Sequence, residues 1–264
     1  MAISRFLKRL KPQPPYAALP APKDPVCIIG DIHGRSDLLD TLVRHLCHEP
    51  DPARTRVILV GDLIDRGPDS AGVLARVRDW CAAPAPFAAV GCLMGNHERM
   101  MLDFLEDPVS HGPRWLSSGG DATLESFGLS PYRRLPGSAP GSTLVALRDD
   151  LLGALPDGLH SWLLALPLIW QEDHIVVTHA GADPGRPMEA QTSTSLLWGH
   201  HSFMTRSRSD GLWVAHGHMI TRTPSARNGR IAVDTGAWRT GCLTAAVLNA
   251  QGVCFISTPP GDAV

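Results

Sequence analysis

Residues Val26–Arg35 read VCIIGDIHGR, an apolar run that stops at Gly30 and is followed by Asp31, His33 and Gly34. The run has the length and β-branching of a buried strand. Alternate residues of an extended segment face one side, so Asp31 and His33 can converge on a single metal ion from the strand's end. Gly30 and Gly34 allow a sharp turn and the close approach of a ligand.

The same grammar recurs along the chain. Val57–Gly67 reads VILVGDLIDRG, with Asp62, Asp65 and Arg66 after the run. Phe87–Glu98 ends in LMGNHE, which places Asn96 and His97 after a third run. Ile175–Gly181 (IVVTHAG) ends a fourth at His179, and Leu212–His218 (LWVAHGH) ends a fifth at His216 and His218. Only Asp, Asn and His stand at these tips, a donor set without thiolate that suits Mn²⁺, Fe or Zn²⁺.

Between the runs the period changes. Leu38, Leu39, Leu42, Val43 and Leu46 form a helical stripe over Ser36–Cys47, with Ser36 placed to cap it. Ser70–Trp80 and Glu98–Leu105 repeat the scheme, so the first hundred residues read as parallel strands with crossover helices and ligands at the carboxyl ends. Residues 106–166 read as a mostly helical insertion, with helices expected at Leu144–Leu155 and Leu159–Leu166. From Leu168 onward, short strands (LIW, HIVVTHA, LWVAHGH, RIAVD, LTAAVLN, VCFIS) predict a second, mixed or antiparallel sheet.

The chain has 264 residues, 44% hydrophobic and 19% charged, enough for one domain with a sizeable core. A formal net charge of −2 gives no pull toward nucleic acid or an anionic membrane. Six cysteines show no CxxC spacing, which predicts a reducing, cytoplasmic setting. Residues 1–24 form a basic, then proline-rich arm, too short and broken in its apolar stretch for a signal peptide or a membrane span. The expected domain runs over 25–258, with a short tail at 259–264. Oligomeric state is not legible.

GDIHG, GDLIDRG, GNHE, HAG and GH, in this order, resemble the PPP-type phosphatases of the calcineurin-like metallophosphoesterase superfamily. Trp115–Gly128 and Ile231–Leu248 resemble its bacterial serine/threonine phosphatase branch in particular. The resemblance implies an α/β fold, a four-layer α/β/β/α sandwich of two mixed sheets with flanking helices and a dinuclear metal site at the strand ends. It assigns Asp31 and His33 to one ion, Asp62 to a bridge, and Asn96, His179 and His218 to the second. Two divalent ions are implied, Mn²⁺ first, with Fe or Zn²⁺ as alternatives. The family pattern puts the ligand after Gly217, favouring His218, with His216 as an orienting neighbour or the reverse.

By the same resemblance His97 is the acid that protonates the leaving alkoxide, and Asp65 orients it. Arg66 binds the phosphate, with Asn96 beside it. The family usually carries a second phosphate-binding arginine after a Leu-Trp pair, where this chain has His200, which is expected to bind the phosphate in its place; Arg206, Arg208 and Arg239 are the other candidates. The expected reaction is attack of a metal-activated hydroxide on a phosphomonoester, most simply phosphoserine or phosphothreonine in a protein. The alternatives are a symmetrical diadenosine tetraphosphate hydrolase or another small-molecule phosphoesterase.

Overall fold

The computed structural model describes residues 19, 21–129 and 140–259. Most of the N-terminal arm and most of the tail lie outside the described residues. Strand β1 (Val26–Ile29) is followed by helix α1 (Ser36–Leu46), β2 (Arg56–Leu59), α2 (Ser70–Ala82), β3 (Ala89–Cys92) and α3 (Asn96–Glu106). Helices α4 (Pro108–Trp115), α5 (Asp121–Ser126), α6 (Gly141–Ala154) and α7 (Leu159–Leu164) come next. The second half carries β4 (Ile169–Glu172), β5 (Ile175–Thr178), α8 (Ser193–Trp198), β6 (Trp213–His216), β7 (Ser225–Arg227), β8 (Arg230–Ala232), α9 (Ala237–Thr240), β9 (Thr244–Asn249) and β10 (Gly252–Ser257).

Two five-stranded mixed sheets result, ordered β10-β9-β1-β2-β3 and β4-β5-β6-β8-β7. β1, β2 and β3 pair in parallel, as do β5, β6 and β8. The period-two pattern sorts each strand between two cores. Val26 and Ile28 of β1 face Ile175, Val177 and Ile231 of the second sheet, while Cys27 and Ile29 pack with Leu38, Leu42 and Val73 of the helices. Val176 and Val214 cover the outer face of the second sheet with Leu196 and Phe203. The layers are therefore helix, sheet, sheet and a thinner outer cover around α8.

Two local expectations shift. Ser36 does not cap α1 but is its first helical residue; Arg35 precedes it and spends its side chain on Asp37 instead. Helix α3 begins at Asn96, two residues earlier than the apolar periodicity indicates, so Asn96 and His97 stand in its first turn. A larger correction concerns β9 and β10. They do not extend the second sheet but return to the first, where β9 pairs antiparallel with β1. The reason is burial on both faces: Ala245 and Val247 fill the helix-side core, and Ala246 and Leu248 the space between the sheets. Among the described residues no helix is long and apolar enough to cross a membrane.

Candidate metal centre and active site

The tips of β1, β2, β5 and β6 and the start of α3 meet at one edge of the two sheets, and they bring the tip residues together. Asp31, His33, Asp62, Asp65, Asn96, His97 and His179 are each at most 3% exposed. His33, Asp62 and His97 present ligand atoms within 4.8 Å of one another, and so do Asp62, His179 and His218. Asp62 belongs to both groups, the position a bridging carboxylate needs.

The imidazoles are oriented from behind. His33 Nδ1 lies 2.7 Å from the Ile64 carbonyl and His179 Nδ1 lies 3.0 Å from that of Val60. A carbonyl only accepts, so each Nδ1 carries a proton and each Nε2 points away from it into the cluster. There Nε2 faces Asp62, at 3.5 Å from Oδ2 for His33 and 3.4 Å from Oδ1 for His179, and His179 Nε2 also meets Asn96 Oδ1 at 2.8 Å. Burial pushes the pKa of His33 down to about 3 and that of His218 to about 4. Neutral imidazoles aimed at a carboxylate fit cations between them.

Carboxylates crowd the same space. Burial raises Asp31 well above its ordinary range, and Asp234 and Asp62 add to it. Burial likewise lifts Glu98 to about 7 and Asp234 to about 6. Burial raises Asp62 as well, but the imidazoles of His179, His97 and His33 outweigh it and hold the carboxylate low. Packed acids of this kind are what a divalent cation relieves. Asp31 turns both oxygens toward the backbone N–H of His218, at 3.0 and 3.2 Å.

A second group stands beside the first. His97 Nδ1 lies 2.6 Å from Asp65 Oδ2. Burial lowers the His97 pKa, yet Asp62 and Asp65 more than offset it and the net shift is upward. A protonated imidazole is an acid rather than a ligand. The Arg66 guanidinium reaches His33 Nε2 at 3.2 Å and His97 Nε2 at 2.9 Å. A guanidinium only donates, so His97 Nε2 accepts from Arg66 here while its Nδ1–H faces Asp65. An anion beside Arg66 draws the fork away and leaves Nε2 free to carry a proton toward it.

Several residues that complete the site were not singled out from the sequence. Trp115 Nε1–H reaches both Asp65 oxygens, at 3.2 and 3.1 Å, and Thr123 Oγ1–H donates to Oδ1 at 2.6 Å. The Asp65 N–H meets both Ser70 Oγ and Thr123 Oγ1. Glu98 accepts the N–H groups of Asp62, Leu63, Ile64 and Gly95 and so braces the β2 tip against α3. Gly119, at φ 109°, lets its carbonyl accept the Arg66 N–H; a Cβ there would come within 2.9 Å of Arg66 Cγ. The segment Trp115–Gly128 was visible only as a family likeness, because none of these roles shows in periodicity.

Two histidines part company with the cluster. His216 packs edge-on against Phe203, with its Nδ1 near the Gly217 carbonyl, on the outer face of the second sheet. His218 turns inward because the chain takes a left-handed step there, φ 60°, and its ring stands 5.1 Å from that of His179. His200 accepts the Ser202 N–H at Nδ1, lies 3.8 Å from Asp183 at Nε2 and stands 4.2 Å from His201 with the rings tilted at 41°, away from the Arg66–His97 contact.

The backbone is held in an unusual state at these tips. Among the described residues eight non-glycine positions have positive φ, and five are His33, Asp62, Asp65, Arg66 and His218. Each left-handed L-residue costs on the order of 1 kcal/mol or more, and such costs gather where geometry serves chemistry.

The chain is similar to known proteins along most of its length. The profile of the calcineurin-like phosphoesterase family matches residues 24–222. The chain is 39% identical over 233 residues to serine/threonine-protein phosphatase 1 of Salmonella typhimurium, covering 84% of this chain and 90% of that one. It is 26% identical over 257 residues to the asymmetrical bis(5'-nucleosyl)-tetraphosphatase PrpE of Halalkalibacterium halodurans, covering 88% and 92%. Among solved structures, a protein serine/threonine phosphatase of Saccharomyces cerevisiae superposes with a TM-score of 0.56 at 14% identity, over 92% of this chain and 82% of that one, a likeness of fold alone.

Proposed function

This chain belongs to the calcineurin-like phosphoesterases, and from that premise we propose that it hydrolyses phosphoserine and phosphothreonine esters in proteins. In this reading Asp31, His33 and Asp62 hold one divalent ion, and Asp62, Asn96, His179 and His218 hold the other. The oxygen and nitrogen donor set favours Mn²⁺, with Fe or Zn²⁺ as alternatives. When bound, the two ions supply Lewis acidity and a nucleophilic water. Arg66 and Asn96 position the phosphate so that its ester oxygen points at His97. His97 gives its Nε2 proton to the departing oxygen, and Asp65 holds the imidazolium in place.

The observation that carries the reading is the buried Asp65–His97 pair, 2.6 Å apart, beside Arg66. An alkoxide is a poor leaving group and needs a proton; a nucleotide phosphate needs it far less. A site that buries a dedicated acid therefore suits alkyl esters. The relative from Salmonella, at higher identity than the tetraphosphatase, favours the same choice.

The test compares a phosphothreonine peptide with diadenosine tetraphosphate, each with Mn²⁺. Wild type is expected to turn over the peptide faster, and His97→Asn to lose roughly 10²- to 10⁴-fold in kcat on it. p-Nitrophenyl phosphate should lose less, since its phenolate departs with little protonation. Faster turnover of the dinucleotide, or equal losses on both monoesters, would overturn the assignment.

A further inference from the structure

Arg114, in the last turn of α4, has an exposed side chain and no carboxylate partner among the described residues. Its guanidinium carbon lies 4.1 Å from the centroid of the Trp198 ring. The Trp198 ring in turn stands 6.4 Å from that of His218, at 88°. Across the site Arg66 lies over Trp238, 5.3 Å from its centroid. Each side of the cluster thus carries an arginine resting on a tryptophan, but the two arginines differ. Arg66 is engaged with His33 and His97, where the reacting phosphate is proposed to sit. Arg114 spends only the face of its guanidinium, on the indole, which leaves the in-plane N–H fork free and its direction fixed.

We propose that Arg114, presented on Trp198, is a specificity-determining residue that binds a carboxylate of the substrate polypeptide close to the phosphorylated residue. The inference rests on the phosphoprotein reading above and adds to it a preference for acidic sequences. This partner is favoured over the reacting phosphate because Arg114 rests on Trp198, whereas Arg66 is the arginine in contact with His33 and His97. An extended peptide advances about 3.3 Å per residue, so a Glu or Asp one to three positions from the phosphoresidue comes within range of Trp198. The planar fork matches a carboxylate bidentately, which an ammonium does not.

The test uses the full chain with Mn²⁺, hydrolysing p-nitrophenyl phosphate, and two competing phosphothreonine peptides. One carries Glu on both sides of the phosphoresidue, the other Gln. Competition reads binding even where a peptide is not itself hydrolysed. Wild type is expected to favour the Glu peptide by roughly two- to fivefold, the range of a charged contact at an exposed site. Arg114→Gln should bring that ratio close to one, and Arg114→Lys should keep part of it. Raising the salt should shrink the wild-type ratio by screening. An unchanged ratio in Arg114→Gln overturns the proposal. Equal weakening of both peptides and of p-nitrophenyl phosphate overturns it as well, since Arg114 would then serve the reacting phosphate. Failure of wild type to bind either peptide while hydrolysing p-nitrophenyl phosphate would instead sink the phosphoprotein reading beneath it.

Discussion

Asp65 has no exposed surface, and donors from α3, α4 and α5 converge on its carboxylate. Burial, with the Asp62 charge adding to it, raises its pKa, and the His97 and Thr123 hydrogen bonds oppose that shift without reversing it. Trp115 and Thr123 thus act through Asp65 on His97. Removing one such donor leaves a buried charged group short of a partner, a loss of about 1–3 kcal/mol. Thr123→Val and Trp115→Phe keep the shape of the packing, so each is expected to lower kcat on a phosphothreonine peptide by about tenfold, or about 1.4 kcal/mol. The loss on p-nitrophenyl phosphate should be smaller, while KM and metal content stay near wild type. A rise in KM with kcat unchanged would show that these residues shape binding rather than the acid.

Elements differ in how openly the sequence declares them. β1, β2 and β5 are short, continuous apolar runs closed by an Asp or a His, and α1 carries a stripe of leucines, so local pattern suffices. The tip residues that read as ligands or acid do meet, because each strand delivers its last residues to one shared edge. What did not show was whatever depends on a distant partner. β9 has the apolar content of any buried strand, and only its pairing with β1 across the length of the chain decides its sheet. Trp115, Thr123 and Glu98 are ordinary helix residues until the fold aims them at the β2 tip. Arg114 and Trp198 lie far apart in sequence, and neither alone signals a site. His200 looked promising by position along the chain, yet the turn after α8 delivers it to Asp183.

At the scale of the whole molecule, the two sheets close over an excess of buried acid. Asp and Glu in an unfolded chain titrate near 4, whereas Asp234 is lifted to about 6 and Glu98 to about 7 in the folded protein. Between about pH 4 and 7 these two carboxyls hold more protons in the metal-free folded state than in the unfolded chain, so their contribution to stability falls as pH rises through that window. The buried imidazoles of His33 and His218, lowered to about 3 and 4, contribute in the opposite sense. Above it the penalty is complete and constant. A shift of about two units is worth about 2.7 kcal/mol, or several degrees in a chain of this size. Divalent cations relieve the repulsion that ionisation creates. Adding Mn²⁺ to chelator-treated protein should thus raise the Tm more at pH 7.5 than at pH 5.5. An increment equal at both pH values, or larger at 5.5, would contradict a site that gathers cations among these acids.

The left-handed steps at the strand tips set activity against durability. A chain selected only to survive heat would place glycine where His33, Asp65 and Arg66 now stand. Arg66 allows that tension to be measured, because its side chain is exposed and its φ is 70°. Arg66→Ala and Arg66→Gly both delete the guanidinium, and both should be nearly inactive. Only the glycine releases the backbone, by about 1 kcal/mol, so it is expected to melt about 2–4 °C above the alanine variant. Equal melting temperatures would mean that the turn is at rest as it stands. A higher-melting glycine variant would mark this loop as one where gains in thermal endurance and losses in turnover arrive together.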